Sequence, residues 1–311
     1  MKNVCSVVTK FCLPAVQKKI TLLRSKLEQG GLLPSDITFE HDYSEIAEEA
    51  VFLVSLNRQT ERNLRSFVRK MNFKQRKVII ISDEEVDYFD FALEYNICNI
   101  ININDLDELM FLGILRRFSK NDWSLEPFFE MEKIVFDKNY NLSGVLNMRN
   151  LVENSFPDFL EKMQGTIKNI FIINCHELVT NAIAYGVMGV TPYARDKKAY
   201  DFEDKIEIPK NKSLQVRLLM DSNSCGITVR DYGGVLTTQR ILERIRRQSV
   251  VAGETVPQGV EDLTGRGLAI LSHHGLLMCS IKPGEFTEVS LVSQLKNTIE
   301  RKPISILTTE L

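Results

Sequence analysis

The chain has 311 residues, of which 44% are hydrophobic and 26% charged, and its formal net charge is −2. This length allows two domains of ordinary size, and the balance of charges gives no support for nucleic-acid binding driven by bulk charge. Six cysteines are scattered without a CxxC pair, which favours a reducing cytoplasm over a disulfide framework or a zinc site. No stretch approaches the roughly 18 apolar residues of a membrane span, so we expect a cytoplasmic protein without membrane contact.

Strands alternate with helices over the first 120 residues. In the first helix, Val16, Ile20, Leu23 and Leu27 recur at helical spacing. This alternation predicts parallel βαβ units around a single covered sheet. The predicted strands are residues 3–9, 36–40, 51–56, 78–81 and 98–103, and the predicted helices are residues 15–28, 60–72, 88–95 and 105–119.

The order and lengths of these elements resemble the receiver domain of bacterial response regulators over residues 1–120. Its chemical residues are missing, because Ser55 and Asn57 stand where a receiver carries its phosphoacceptor aspartate. The acidic pair after the first strand and the lysine after the fifth also have no counterpart, although Ser82 matches a small hydroxyl residue of the family. We therefore expect a receiver-like α/β domain that is not phosphorylated by the usual route. An unrelated three-layer α/β domain is the alternative.

A linker is predicted at residues 121–132, where Trp123 and Pro127 interrupt helical patterning. From residue 133 to 311, helices precede a group of strands, which predicts an α+β two-layer domain. A polar insert at residues 187–213 is interpreted as a surface loop, with a partner-docking hairpin as the alternative. The predicted strands are residues 133–136, 214–220, 226–230, 277–281 and 287–292, and the predicted helices are residues 145–153, 157–163 and 167–185.

The most informative motif lies in the longest of these helices, at residues 175–186. Glu177 and Asn181 are four residues apart and therefore share one helix face. A carboxylate can accept a proton from water or a hydroxyl, and an amide oxygen suits a hard cation such as Mg²⁺. The same spacing is also typical of an ordinary solvated helix face.

Two glycine-bearing motifs follow. In the first, Asp231 ends a strand and can accept a hydrogen bond from an exocyclic amine, while Gly233 allows a ring to approach the backbone. In the second, Gly265 and Gly267 precede an apolar helical run, so that backbone N–H groups at a helix start can face an anion. Taken singly, each motif is also compatible with a plain turn.

Together and in this order, the three motifs resemble the nucleotide-binding boxes of the histidine-kinase-like ATPases. The likeness is greatest to the serine kinases that act as anti-sigma factors, and it spans residues 130–295. Val235 and Tyr185 depart from that family's pattern. The resemblance implies that Glu177 is the catalytic base and that Asn181 is the Mg²⁺ ligand. It implies that Asp231 accepts a hydrogen bond from the adenine amine, with Gly233 beneath the base. It also implies that the backbone N–H groups of Gly265 and Gly267 donate to phosphate, with Arg266 as an extra cation.

The same resemblance implies a flexible lid over the nucleotide at residues 235–262. Four arginines in this segment can face phosphates or an acidic partner, although a solvated helix face is the alternative. They are Arg240, Arg244, Arg246 and Arg247.

The leading hypothesis is therefore an ATP- and Mg²⁺-binding signalling regulator, a serine/threonine protein kinase of the anti-sigma-factor type. By resemblance its partner is a sigma factor or an anti-anti-sigma-like protein, with no direct nucleic-acid contact, and homodimer formation is compatible with the family. The alternative is a non-catalytic module that senses nucleotide or binds protein. A sensor histidine kinase would need a dimerisation helix pair, which the sequence does not predict.

Overall fold

The structure is a computed structural model of a mixed α/β protein. The part of the chain that it describes divides into two compact units. The first unit comprises the described residues up to 130 together with 305–307, and the second comprises the remaining described residues. The described residues are 5–40, 50–55, 61–70, 78–82, 88–120, 123–190, 204–250, 256–259, 266–295 and 305–310.

The first unit contains a parallel sheet with the strand order β2-β1-β3-β4-β5. The parallel strands and the alternating helices confirm the α/β prediction for this part of the chain. Its elements are β1 (Cys5–Phe11), α1 (Pro14–Gln29), β2 (Ile37–Glu40), β3 (Val51–Val54), α2 (Glu61–Lys70), β4 (Val78–Ser82), α3 (Phe89–Glu94), β5 (Ile100–Asn102) and α4 (Glu108–Lys120).

Burial in the first unit follows the predicted patterns. The four apolar residues of α1 that recur at helical spacing are all buried, and Pro14 occupies the first turn, where its missing N–H costs nothing. Strands β3 and β4 are buried along their whole length, as expected of parallel strands covered on both faces.

The predicted linker packs against α4. Leu125, Phe128 and Phe129 are buried. A Cβ at Gly113 in α4 would lie 2.4 Å from the Phe128 ring, so the glycine makes room for this contact. The guanidinium of Arg117 lies 4.3 Å from the centroid of the Trp123 ring. The chain therefore stays with the first unit as far as residue 130.

The second unit is built on an antiparallel sheet with the strand order β11-β12-β10-β9-β6. A further strand, β13 (Ser305–Glu310), pairs antiparallel with β5 through Ile306 and Ile100 in the first unit, and its last residues belong to the second. The other elements are β6 (Phe136–Leu142), β7 (Gly144–Asn147), α5 (Leu151–Ser155), α6 (Pro157–Leu160), α7 (Gly165–Ala182), β8 (Lys205–Ile208), β9 (Leu214–Met220), β10 (Ser224–Asp231), α8 (Thr238–Gln248), α9 (Gly267–His274), β11 (Leu276–Lys282) and β12 (Phe286–Gln294).

Three local predictions in the second unit are wrong. The strand predicted at residues 133–136 overlaps the observed strand β6 only at Phe136, because Met131–Lys133 forms a 3-10 turn. The helix predicted at residues 145–153 begins instead as strand β7, and only its second part is helical. Strand β8 lies inside the predicted surface loop of residues 187–213 and pairs antiparallel with β7. Residues 191–203 of that segment lie outside the described residues. The pairing joins segments some sixty residues apart, so local periodicity did not reveal it.

Helix α7 continues into a π-helical turn, Ile183–Val187, and the 23 residues together are long and apolar enough to cross a membrane. More than half of the most apolar window, 56%, is buried inside the protein. Cys175 and Val179 are fully covered by neighbouring residues. The apolar composition of α7 is therefore explained by its packing as a core helix.

Candidate functional site

A cleft in the second unit collects most of the predicted site residues. Its empty space is about 650 Å³, a figure that includes the part open to solvent. Glu177 and Asn181 from α7, Asp231 from β10 and Gly267 from α9 all line it. Its apolar wall consists of Leu178, Ala182, Val229, Leu236, Leu268 and Val289.

The pair on α7 has the geometry that its spacing predicts. The Asn181 side chain donates a hydrogen bond from Nδ2 to Glu177 Oε1, at 2.8 Å. This bond fixes both side chains on the cleft face of the helix. It also leaves the Asn181 amide oxygen as the atom that can coordinate a cation, because the nitrogen is used in the bond.

The start of α9 packs directly against the Glu177 carboxylate. A Cβ added at Gly267 would lie 1.6 Å from Glu177 Oε1, so no other residue fits here without a shift. The first N–H groups of a helix lack intrahelical partners and attract negative charge. The sequence predicts an anion-facing helix start at Gly267, and the structure adds that Glu177 is the neighbouring anionic group.

Asp231 is almost completely buried, with 4% of its surface exposed. Its Oδ1 accepts a hydrogen bond from the Gly233 N–H at 2.8 Å. Burial raises the pKa of Asp231 from 3.8 to about 6, and the backbone N–H groups of Gly233, Gly234 and Thr287 oppose that rise. The carboxylate is therefore charged at neutral pH and protonated in mild acid.

Two glycines let the end of α7 touch the end of β10. A Cβ at Gly186 would lie 2.4 Å from the Cβ of Asp231, and a Cβ at Gly233 would lie 2.9 Å from the Gly186 Cα. Gly186 belongs to the π-helical turn, a departure from α geometry that is frequent at functional sites. The two glycines therefore let Asp231 pack directly against the backbone of the π-helical turn.

Thr287 is a residue of this region that the sequence analysis missed. It lies opposite Asp231 in the antiparallel pair of β10 and β12. Its hydroxyl oxygen is buried and has no hydrogen-bond partner among the residues that the structure describes. Such a group usually marks a position for water or a ligand atom. Its place in the predicted strand at residues 287–292 gave no signal, because hydroxyl residues are common in strands.

Of the other predicted site residues, Gly233 and Arg266 are not among the described residues that line the cleft. Gly233 lies beneath Asp231, whereas Arg266 is exposed at the start of α9. Gly265 lies outside the described residues. Gly234 has a positive φ of 56° and packs on the turn between β11 and β12, where its carbonyl accepts from Gly284 N at 3.1 Å. Gly234 is thus a structural glycine.

Part of the predicted lid is the packed helix α8. Its residues Ile241, Leu242 and Ile245 are fully buried. Arg240 and Arg244, one turn apart, line the cleft. The prediction of a solvated helix face fits the exposed Arg247, whereas Arg246 is buried. Residues 251–255 and 260–262 of the predicted lid lie outside the described residues.

These side chains fit a magnesium nucleotide. The buried acceptor Asp231 and the apolar wall of the cleft suit a base, and Arg240, Arg244 and the α9 start suit phosphates. No cluster of three or more metal-binding side chains occurs among the described residues. Mg²⁺ usually keeps waters and phosphate oxygens as ligands, so Asn181 suffices as a protein ligand.

The carboxyl edge of the parallel sheet in the first unit is closed by its own hydrogen bonds. Ser55 Oγ accepts from Leu13 N at 2.5 Å. Ser305 Oγ accepts from Asn102 N at 3.0 Å and donates to Asp105 Oδ2 at 2.7 Å. Ligands of open α/β sheets bind at this edge. Its hydroxyl groups are engaged in internal contacts.

No model of a known protein family matches the chain, and no curated protein matches it significantly.

Proposed function

We propose that the second unit binds ATP with Mg²⁺ in the cleft formed by α7, β10, α8 and α9, and that it acts as a serine/threonine protein kinase in signalling. One observation carries this proposal: segments that are far apart in the sequence bring Glu177, Asn181, Asp231 and Gly267 to one cleft. Each of these residues offers a different part of the chemistry that a nucleoside triphosphate requires.

In the proposed binding mode, the Asp231 carboxylate accepts a hydrogen bond from the exocyclic amine of adenine. The apolar wall of the cleft covers the faces of the ring. The amide oxygen of Asn181 is the protein ligand of Mg²⁺. The N–H groups at the start of α9 face the phosphates.

In the proposed reaction, Mg-ATP supplies the phosphoryl group. A serine or threonine hydroxyl of a protein partner attacks the γ-phosphorus in line, the new O–P bond forms, and the bond to the β-phosphate oxygen breaks. Glu177 takes the hydroxyl proton on its carboxylate as general base. Its bond with Asn181 keeps that carboxylate aimed into the cleft.

The receiver-like first unit is proposed as the signal-reading part. Its strand order, β2-β1-β3-β4-β5, is that of the flavodoxin-like sheets to which receivers belong. The proposed partner, by the resemblance stated above, is a sigma factor or an anti-anti-sigma-like protein. Such partners would place the protein in the cytoplasm.

The test uses the full chain in two assays. Titration calorimetry should detect binding of Mg-ATP to the wild-type protein and loss of binding in Asp231→Ala. Glu177→Gln keeps an oxygen for the Asn181 contact, so it should retain binding but lower phosphoryl transfer to a partner by about 10²- to 10⁴-fold. If the wild type binds no nucleotide, the ATP proposal is wrong. Unchanged transfer in Glu177→Gln would remove Glu177 from the base role.

A second candidate function is nucleotide sensing without catalysis. It is favoured by the contacts of Glu177, whose carboxylate accepts a hydrogen bond from Asn181 and packs against Gly267. In that case, Mg-ATP binds but neither hydrolysis nor transfer occurs with any partner. Glu177→Gln would then leave every measured property except stability unchanged.

A further inference from the structure

Helix α8, which carries two arginines of the cleft, is held at its first turn. The Thr237 side chain is the N-cap and accepts from Arg240 N at 3.2 Å. The apolar face of the helix is buried through Ile241, Leu242 and Ile245. Capping and burial give α8 one position, whereas a mobile loop would sample many.

A second contact at the same turn comes from the far end of the chain. A single carboxylate oxygen, Glu310 Oε1 on β13, accepts from Thr238 N at 3.1 Å and from Thr238 Oγ1 at 3.0 Å. The Thr238 N–H is one of the four helix-start donors without an intrahelical partner. A carboxylate at this position also interacts favourably with the helix dipole. Glu310 therefore fixes the helix start through two bonds.

The fixed turn is followed closely by the cleft arginines. Arg240 lies two residues after Thr238, and Arg244 lies one turn further along the same face. A guanidinium group binds phosphate oxygens in a two-pronged, charge-assisted manner. Two such groups on one cleft wall suit a chain of phosphates better than a neutral nucleoside.

We propose that Arg240 and Arg244 determine specificity for the polyphosphate of the bound nucleotide, and that Glu310 is a positioning residue that sets their place by fixing the first turn of α8. This inference rests on the proposed nucleotide function. It makes Glu310 part of the phosphate selectivity of the cleft, although this residue does not line it.

The experiment measures affinities of the full chain for Mg-ATP and for adenosine by titration calorimetry. In the double variant Arg240→Gln/Arg244→Gln, we expect affinity for ATP to fall about 10- to 100-fold while that for adenosine stays within about twofold. Arg247→Gln is the matched control, because it removes an exposed charge from the same helix. Its ATP and adenosine affinities should equal those of the wild type.

The role of Glu310 is tested by the ratio of the affinities for Mg-ATP and for adenosine. Glu310→Ala removes both hydrogen bonds to Thr238 and should lower ATP affinity about 3- to 10-fold, because the first turn of α8 and its arginines are then less well fixed, with little change for adenosine. Glu310→Gln keeps an acceptor oxygen and should restore most of the affinity. Thr238→Val removes only the hydroxyl donor and should give a smaller loss. It also provides the readout if Glu310→Ala does not fold.

A triple variant tests whether Glu310 acts through the arginines. Adding Glu310→Ala to the arginine double variant should cause no further loss of ATP affinity, because coupled residues are not additive. An additive loss would overturn the positioning role. An unchanged ATP-to-adenosine ratio in the arginine variant, or in both Glu310→Ala and Thr238→Val, would overturn the inference while ATP binding stands. Failure of the wild type to bind either ligand would instead refute the proposed function.

Discussion

At the residue scale, the most consequential group is the buried carboxyl of Asp231. Its pKa rises to about 6 because burial disfavours the charged form. The folded protein therefore binds a proton more tightly at this residue than the unfolded chain, whose value is 3.8. The contribution of Asp231 to the free energy of unfolding, about 3 kcal/mol, is present in full below about pH 4. It is lost as the pH rises through 6.

This linkage predicts a pH-dependent difference between the wild type and Asp231→Asn. The asparagine amide does not titrate, so the variant does not lose stability at this residue between pH 4 and pH 6. Its free energy of unfolding relative to the wild type should rise by about 2 kcal/mol from pH 4 to pH 7. Urea unfolding at several pH values measures the difference. A difference that does not vary with pH would contradict the raised pKa.

Gly267 predicts a second residue-scale effect. In Gly267→Ala, the new methyl group meets the Glu177 carboxylate, so we expect a loss of about 1–3 kcal/mol of stability from overpacking. Weakened binding of Mg-ATP should accompany it. The control is Gly30→Ala at the end of α1, where φ is −77° and the nearest contact is 3.3 Å.

Gly30→Ala should change stability by less than about 1 kcal/mol. Thermal unfolding of both variants makes the comparison. Equal stability of Gly267→Ala and the wild type would mean that Glu177 does not lie against the helix start.

The sequence predicted some of these residues and missed others for physical reasons. The contact between Glu177 and Asn181 follows from helix geometry alone, because residues four apart share a face. The contacts of Glu177 with Gly267 and of Gly186 with Asp231 join separate segments, which local patterns cannot reveal. Thr287 was missed because only burial distinguishes its hydroxyl from others in strands.

At the element scale, a polar pair joins α7 to α9. Asn174 is buried and its Oδ1 lies 2.6 Å from Nδ1 of His274. Burial lowers the pKa of His274, and the adjacent His273 lowers it further. The folded state thus favours the neutral imidazole. Stability from this group is present above the unfolded value of 6.5 and decreases as the pH falls below it.

The pair predicts that Asn174→Leu will destabilise the protein. The substitution removes the hydrogen bond between Asn174 and the half-buried His274, and the loss of such a bond costs about 0.5–1.5 kcal/mol. Asn169→Leu makes the same change at an exposed position of α7 and should cost less than about 0.5 kcal/mol. Urea unfolding at pH 7.5 compares them. Equal effects in the two variants would contradict the role of the pair.

Element prediction was most accurate where periodicity is strong and failed where pairing is distant. In α1, four apolar residues at helical spacing predicted both the helix and its buried face. In β7, Val145 is 65% exposed and the strand exists because β8 pairs with it. An exposed ribbon of this kind lacks the apolar alternation that marks a half-buried strand.

At the scale of the whole molecule, the thiols are protected by the fold. The side chains of five of the six cysteines are described, and all five are buried: Cys12, Cys98, Cys175, Cys225 and Cys279. Burial raises the pKa of both Cys12 and Cys225 to about 12. Because the thiolate is the reactive form, these groups should be inert in the folded state.

A thiol-reactive chromogenic disulfide measures this protection. In the variant Cys5→Ser, which removes the remaining cysteine, we expect essentially no reaction of the native protein within minutes at pH 8. The five described thiols should then react together when urea unfolds the chain. Fast reaction of the native variant would show that at least one of the buried thiols becomes exposed readily.

The contact between Gly267 and Glu177 also has a genetic consequence. Which residues are tolerated at position 267 depends on the residue at position 177. Glycine is needed at 267 only while a side chain as long as glutamate faces it. A defect caused by alanine at 267 should therefore be relieved by a second-site change that shortens residue 177, with aspartate the smallest step that keeps the carboxylate. In a reversion screen, position 177 is where suppressors of that alanine are expected to recur.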